Sequence, residues 1–119
     1  MDCQMGNIEA KFADIIWENE PVSSSLLVKL SEEKLGWKKS TTYTVLRRLC
    51  EKGLFKNENG TVTSLISGED FHSEQSKQFV DNSFDGSLPA FLAAFMNGKR
   101  LSPAEADEIR ELIDRFRRE

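Results

Sequence analysis

The chain has 119 residues, 39% of them hydrophobic and 30% charged, with a net charge of −4 at neutral pH. That length suits one compact domain, or a small domain with an appendage, and excludes two large ones. The composition is that of a folded soluble protein, and no apolar run reaches the roughly 20 residues that a bilayer requires.

From Asn7, the stretch NIEAKFADIIWENEP sets Ile8, Phe12, Ile15 and Ile16 on one helical stripe, which Pro21 ends. VSSSLLVKLSEEKLGW then opens with serines fit to cap a second helix. Leu27 and Leu30, with Leu26 or Val28, supply its apolar face before Gly36 stops it. STTYTVLRRLCEKG reads as a third helix with Ser40 as N-cap or first-turn residue, Val45, Leu46 and Leu49 spaced for burial, and Gly53 as its stop. LFKNENGTVTSLI follows as two β-prone runs around Asn59-Gly60, a pair suited to the positive φ angles of a two-residue hairpin turn.

Beyond Ser67 the pattern is helical throughout. One helix runs from about Gly68 or Ser73 to Phe84 and carries Phe71, Phe79, Val80 and Phe84. A second, from about Ser87 to Asn97, carries Leu88, Phe91, Leu92, Phe95 and Met96. Ser102, Pro103 and Glu105 mark the start of a third, as N-cap, N1 proline and N3 glutamate, with Ile109, Leu112, Ile113 and Phe116 on its apolar face. These readings predict a mostly α protein with a small β-hairpin wing: a winged helix-turn-helix over residues 1–67, then a three-helix region over 68–119. Six of the eight phenylalanines fall between residues 71 and 116, more than three short helices can enclose. Either a second copy covers them or the helices fold back on the N-terminal half.

The charge is unevenly spread. Residues 1–60 hold nine basic against nine acidic residues, and residues 61–119 hold seven against eleven. Within the first half, Lys38, Lys39, Arg47, Arg48, Lys52 and Lys56 are opposed only by Glu51 between residues 36 and 56. An acidic appendage folded over this basic patch would mask it, which favours pairing of the C-terminal helices with a second copy. Projected at about 100° per residue, the third helix turns Val45, Leu46 and Leu49 inward. Ser40, Thr44, Arg47 and Glu51 point away, flanked by Thr41 and Arg48 on one side and Tyr43 on the other. Small, hydroxylic and cationic side chains on one face suit a helix that enters a DNA major groove.

Three helices and a hairpin, in the order IIWENEPVS, GWKKSTTYTVLRRLCEKGL, FDGSL and LSPAEADEIRELI, resemble the penicillinase-repressor (BlaI/MecI/CopY) family of bacterial transcriptional repressors. The resemblance runs from about Ile8 to Phe116. It implies a homodimer in which the winged helix binds a dyad-symmetric operator of double-stranded DNA and the C-terminal helices dimerise. It places Ser40, Thr41, Tyr43, Thr44 and Arg48 at DNA contacts, joined by Lys38, Lys39, Arg47 and Lys56 from the basic patch. Phe79, Phe84, Leu88, Phe91, Leu92, Phe95, Ile109, Leu112, Ile113 and Phe116 are the expected dimer contacts. Trp37 either packs in the core or touches the DNA backbone.

Two departures from the family pattern bear on function. The hairpin lacks the basic residue and paired tyrosines expected of the wing, which leaves Lys56 as its only candidate phosphate contact. No cysteine follows Cys50, so the cysteine cluster of copper-responsive relatives is missing. In β-lactam-responsive relatives a sensor-linked protease cuts an asparagine–phenylalanine bond, which corresponds to Ala94-Phe95 here, without the asparagine.

Catalytic chemistry has little to draw on. His72 is the only histidine, expected to be solvated or capping, and there is no glycine-rich phosphate loop, HExxH or CxxC. Cys3, expected in a frayed terminus, and Cys50, expected as a half-buried small hydrophobe, are read as reduced thiols. With neither an apolar signal stretch nor an arginine-rich presequence in MDCQMGNIEAKF, the expected location is cytoplasmic. No metal, cofactor or membrane partner is expected. The rival to a repressor is a winged-helix adaptor that binds protein, against which the basic patch argues.

Overall fold

The computed structural model describes residues 3–118. In chain order the elements are α1 (Asn7–Asn19), β1 (Val22–Ser23), α2 (Ser24–Leu35), α3 (Lys39–Glu51), β2 (Phe55–Glu58), β3 (Thr61–Ser64), α4 (Gly68–Phe84), α5 (Leu88–Met96) and α6 (Pro103–Phe116). They form two compact units, Met1–Phe79 and Val80–Glu119, divided within α4.

In the first unit, α1 buries Phe12, Ala13, Ile15 and Ile16. Ile8, expected on the same stripe, is 58% exposed because it lies in the first turn, beyond the buried stretch of the helix. Ser23 caps α2 by accepting from the Leu26 N–H at 3.1 Å. Gly36 ends α2 with φ of 69°, a left-handed conformation that favours glycine. The hairpin turns on Asn59 and Gly60, with φ of 52° and 83°, as their dipeptide predicts. A strand that the sequence pattern does not reveal completes the sheet: β1 pairs antiparallel with β3, setting Val22 opposite Val62, and the strand order is β1-β3-β2. Two residues between a proline and a helix, one of them the helix cap, are too few to display an alternating pattern.

Phe12, Leu27, Leu49, Leu54, Phe55, Val62 and Phe71 are buried together. Phe71 comes from α4, so the first helix beyond Ser67 supplies a core residue to the N-terminal unit. Trp17 fastens it: the indole lies 5.3 Å from the Phe55 ring and 5.5 Å from that of Phe71, and donates to the Ile66 carbonyl at 3.0 Å. Cys3 departs from the frayed terminus expected of it. It is 1% exposed, its carbonyl accepts from Gln75 Nε2 at 3.3 Å, and its neighbour Gln4 accepts through its carbonyl from Lys52 Nζ at 2.6 Å. A small apolar thiol close to two helices is worth more inside than in water.

Ser31, fully buried on α2, has an Oγ without a hydrogen-bond partner among the described residues. Burying an unsatisfied hydroxyl is unfavourable, and alanine is the better helix former. Ser31→Ala is therefore expected to raise stability by about 1 kcal/mol, read as a higher urea midpoint at unchanged slope. A loss of stability would show that the hydroxyl is satisfied after all.

In the second unit, Ser87 caps α5 by accepting from the Ala90 N–H and Ser102 caps α6 by accepting from that of Glu105, each at 3.1 Å. Pro103 opens α6, as its sequence predicts. Phe91 packs edge-on against Phe84 at 5.5 Å and lies 5.9 Å from Phe95. Neither α5 nor α6 contains a buried residue in the single chain. Leu88 is 55% exposed, Phe95 52%, Ile113 56% and Phe116 76%. Phe79, Leu92 and Leu112 are exposed as well, while Phe84, Phe91 and Ile109 are half-buried.

Candidate nucleic-acid interface

The turn between α2 and α3 is fixed by short-range bonds and one aromatic contact. Gly36 N–H donates to the Glu32 carbonyl at 3.0 Å and Trp37 N–H to that of Ser31 at 3.3 Å. The Trp37 ring is half-buried and packs 5.1 Å from Phe12, against the core, which is one of its two expected roles. Thr42, Val45, Leu46 and Leu49 are buried and anchor α3.

The opposite side of α3 exposes Lys38, Lys39, Ser40, Thr41, Thr44, Arg47 and Glu51. Its beginning is unusual. Lys38 occupies the N-cap with no side-chain hydrogen bond, no acidic residue lies in the first turn, and Lys39 follows directly. A helix N-terminus carries partial positive charge, which acidic or capping side chains normally offset. The starts of α1, α2, α5 and α6 each have such a group: Glu9, Ser23, Ser87 and Ser102 respectively. The start of α3 concentrates positive charge instead, an arrangement that favours a phosphate.

The remaining expected residues are disposed differently. Tyr43 is half-buried, and its hydroxyl donates to Ser24 Oγ on α2 at 3.3 Å. Thr44 Oγ1 donates to the Ser40 carbonyl at 2.9 Å, so its hydroxyl proton is already engaged and its oxygen can only accept. Arg48, on the flank, is held by α1: its Nη1 lies 3.2 Å from Glu9 Oε1. Lys52 Nζ is 3.6 Å from Glu9 Oε2. Glu9 escapes sequence reading because no local pattern links it to a residue 39 positions away. Lys56 lies on β2, in the hairpin as expected, and pairs with Glu58 at 3.3 Å, both exposed.

A cavity of about 320 Å³ beside α3 is lined by Tyr43, Leu46, Arg47, Cys50 and Asn57. Burial, and secondarily the charge of Glu51, pushes the Cys50 thiol above its ordinary range, which keeps it protonated and a weak nucleophile at neutral pH. Among the described residues no group of three or more His, Cys, Asp or Glu is placed to hold a metal. Among them, too, no helix is long and apolar enough to cross a membrane.

Comparison with known proteins points the same way as the geometry. The sequence model of a protein family described as Penicillinase repressor matches residues 5–115. The chain is 24% identical over 116 residues to a methicillin resistance regulatory protein MecI of Staphylococcus aureus, covering 94% of each. It is also 24% identical over 115 residues to a penicillinase repressor of Bacillus licheniformis, covering 93% of this chain and 90% of the relative.

Proposed function

Because the chain belongs to the penicillinase repressor family, we propose that it is a transcriptional repressor, not an enzyme, that acts as a homodimer and binds a dyad-symmetric operator through α3. The observation that carries this reading is the outer side of α3, where Ser40, Thr41, Thr44 and Arg47 are exposed behind a start lined by Lys38 and Lys39. Short hydroxylic side chains let the helix backbone approach base edges, and Arg47 can present its fork to a guanine. The lysines suit phosphates, which fix register without reading sequence.

A salt titration on an operator selected from random duplexes tests the reading. If each protomer neutralises about four phosphates, the slope of log K against log salt is expected near −7 for the dimer. A slope near zero would favour a protein-binding adaptor. Arg47→Ala is expected to weaken operator binding by about 1–3 kcal/mol with the fold intact. Lys39→Ala should weaken binding to all sequences alike and make the slope shallower by about one unit per protomer.

We also infer that repression is not lifted by the cut known from β-lactam-responsive relatives. The matching bond, Ala94-Phe95, lies inside α5 and offers no side-chain amide to a protease that reads asparagine. A discrete fragment ending at Ala94 in β-lactam-treated cells would refute this.

A further inference from the structure

We propose that Glu9 withholds Arg48 and Lys52 from the phosphates of bulk DNA, and so sets how strongly the protein prefers its operator over other sequences. The inference rests on the DNA-binding reading above. One carboxylate serves both cations: Oε1 lies 3.2 Å from Arg48 Nη1 and Oε2 lies 3.6 Å from Lys52 Nζ. Oε2 is shut off from solvent and accepts no hydrogen bond among the described residues, so Lys52 is the charge that compensates it. Lys52 is itself held, since its Nζ donates to the Gln4 carbonyl at 2.6 Å. The Glu9 side chain is only 21% exposed and that of Lys52 18%, whereas that of Arg48 is 50% exposed.

Non-specific binding to DNA arises almost entirely from cations that replace condensed counterions along the phosphates. A cation already neutralised by a fixed carboxylate releases few counterions. To use Arg48, DNA must displace a partly buried Glu9 rather than a mobile ion, and must leave that carboxylate with Lys52 alone. An operator complex can offset this displacement with base contacts from the outer side of α3. A random sequence makes no such contacts and bears the whole loss. Two of the six cations in the basic patch are therefore silent towards bulk DNA, although the sequence counts them equally.

Glu9→Gln removes the charge and keeps the shape. Measured by fluorescence anisotropy on a random duplex at low salt, the variant is expected to bind about 3–10-fold more tightly. Its salt slope should steepen by about one unit per protomer, from Arg48, because Lys52 stays held by the Gln4 carbonyl. Affinity for the selected operator should rise less, so that the ratio of specific to non-specific binding falls. Unchanged random-duplex affinity and slope would overturn the proposal. Glu18→Gln, which removes the same charge from an exposed position on α1, is the control. An equal effect there would assign the change to net charge and overturn the proposal as well. If Glu9→Gln does not fold, Glu9→Asp carries the test, because it keeps the charge and draws it back by one methylene, and an intermediate gain is expected. A wild-type protein that binds neither duplex would sink the DNA-binding reading itself, an outcome separate from failure of the Glu9 contrast.

Discussion

Replacing Ile113 and Phe116 together by aspartate is expected to leave each chain folded, turn the proposed dimer into a monomer, and lower operator affinity by at least about a thousandfold. Both side chains are largely exposed in the single chain, Ile113 at 56% and Phe116 at 76%. Their replacement therefore removes little from that chain's own packing, and any large effect has to come from whatever covers them. Charges buried in a two-fold contact face their own copies across the axis and lose hydration without gaining partners. A monomer then engages one half-site and forfeits the linkage that makes the second binding event intramolecular. Sedimentation at micromolar concentration, beside circular dichroism, checks this. A variant that stays dimeric would show that α6 is not the contact.

Phe12→Ala is the largest stability change expected in the N-terminal unit, about 3–5 kcal/mol. The ring is fully buried and lies 5.1 Å from Trp37, so its removal leaves a cavity beside the indole. A unit of 79 residues has a total stability of only roughly 4–12 kcal/mol. The same ring supports the turn that aims α3, and DNA binding is expected to weaken before global unfolding is reached. Urea denaturation measures the first effect and anisotropy the second. A loss below about 2 kcal/mol would mean that the neighbouring side chains close the gap.

What is legible in the sequence is local. Asn59-Gly60 predicts its turn because a dipeptide suffices for the required φ angles, and Ser102-Pro103 predicts the start of α6 because capping acts within one turn. The helix-turn-helix and its outward residues follow from periodicity in the same way. The features that escape depend on partners far away along the chain. Phe71 enters the N-terminal core beneath Trp17, whose indole bonds a carbonyl 49 residues on. Cys3 is fixed by a residue 72 positions away. Arg48 reads as an unengaged cation until α1 brings Glu9 beside it. Periodicity identifies the face on which a side chain lies, but not the opposite charge that a distant element sets against it.

The bond between Gln75 and the Cys3 carbonyl also has a bearing on synthesis. A nascent chain cannot complete the N-terminal unit until Gln75 has emerged, since until then Cys3 lacks one of the elements that hold it. By that point α1, α2, α3 and the three strands have all emerged and await closure, whereas α5 and α6 have yet to emerge. Translation adds about 5–20 residues each second, slower than most helical contacts form. The N-terminal unit is therefore expected to close on the ribosome before the exposed leucines and phenylalanines of α5 and α6 emerge.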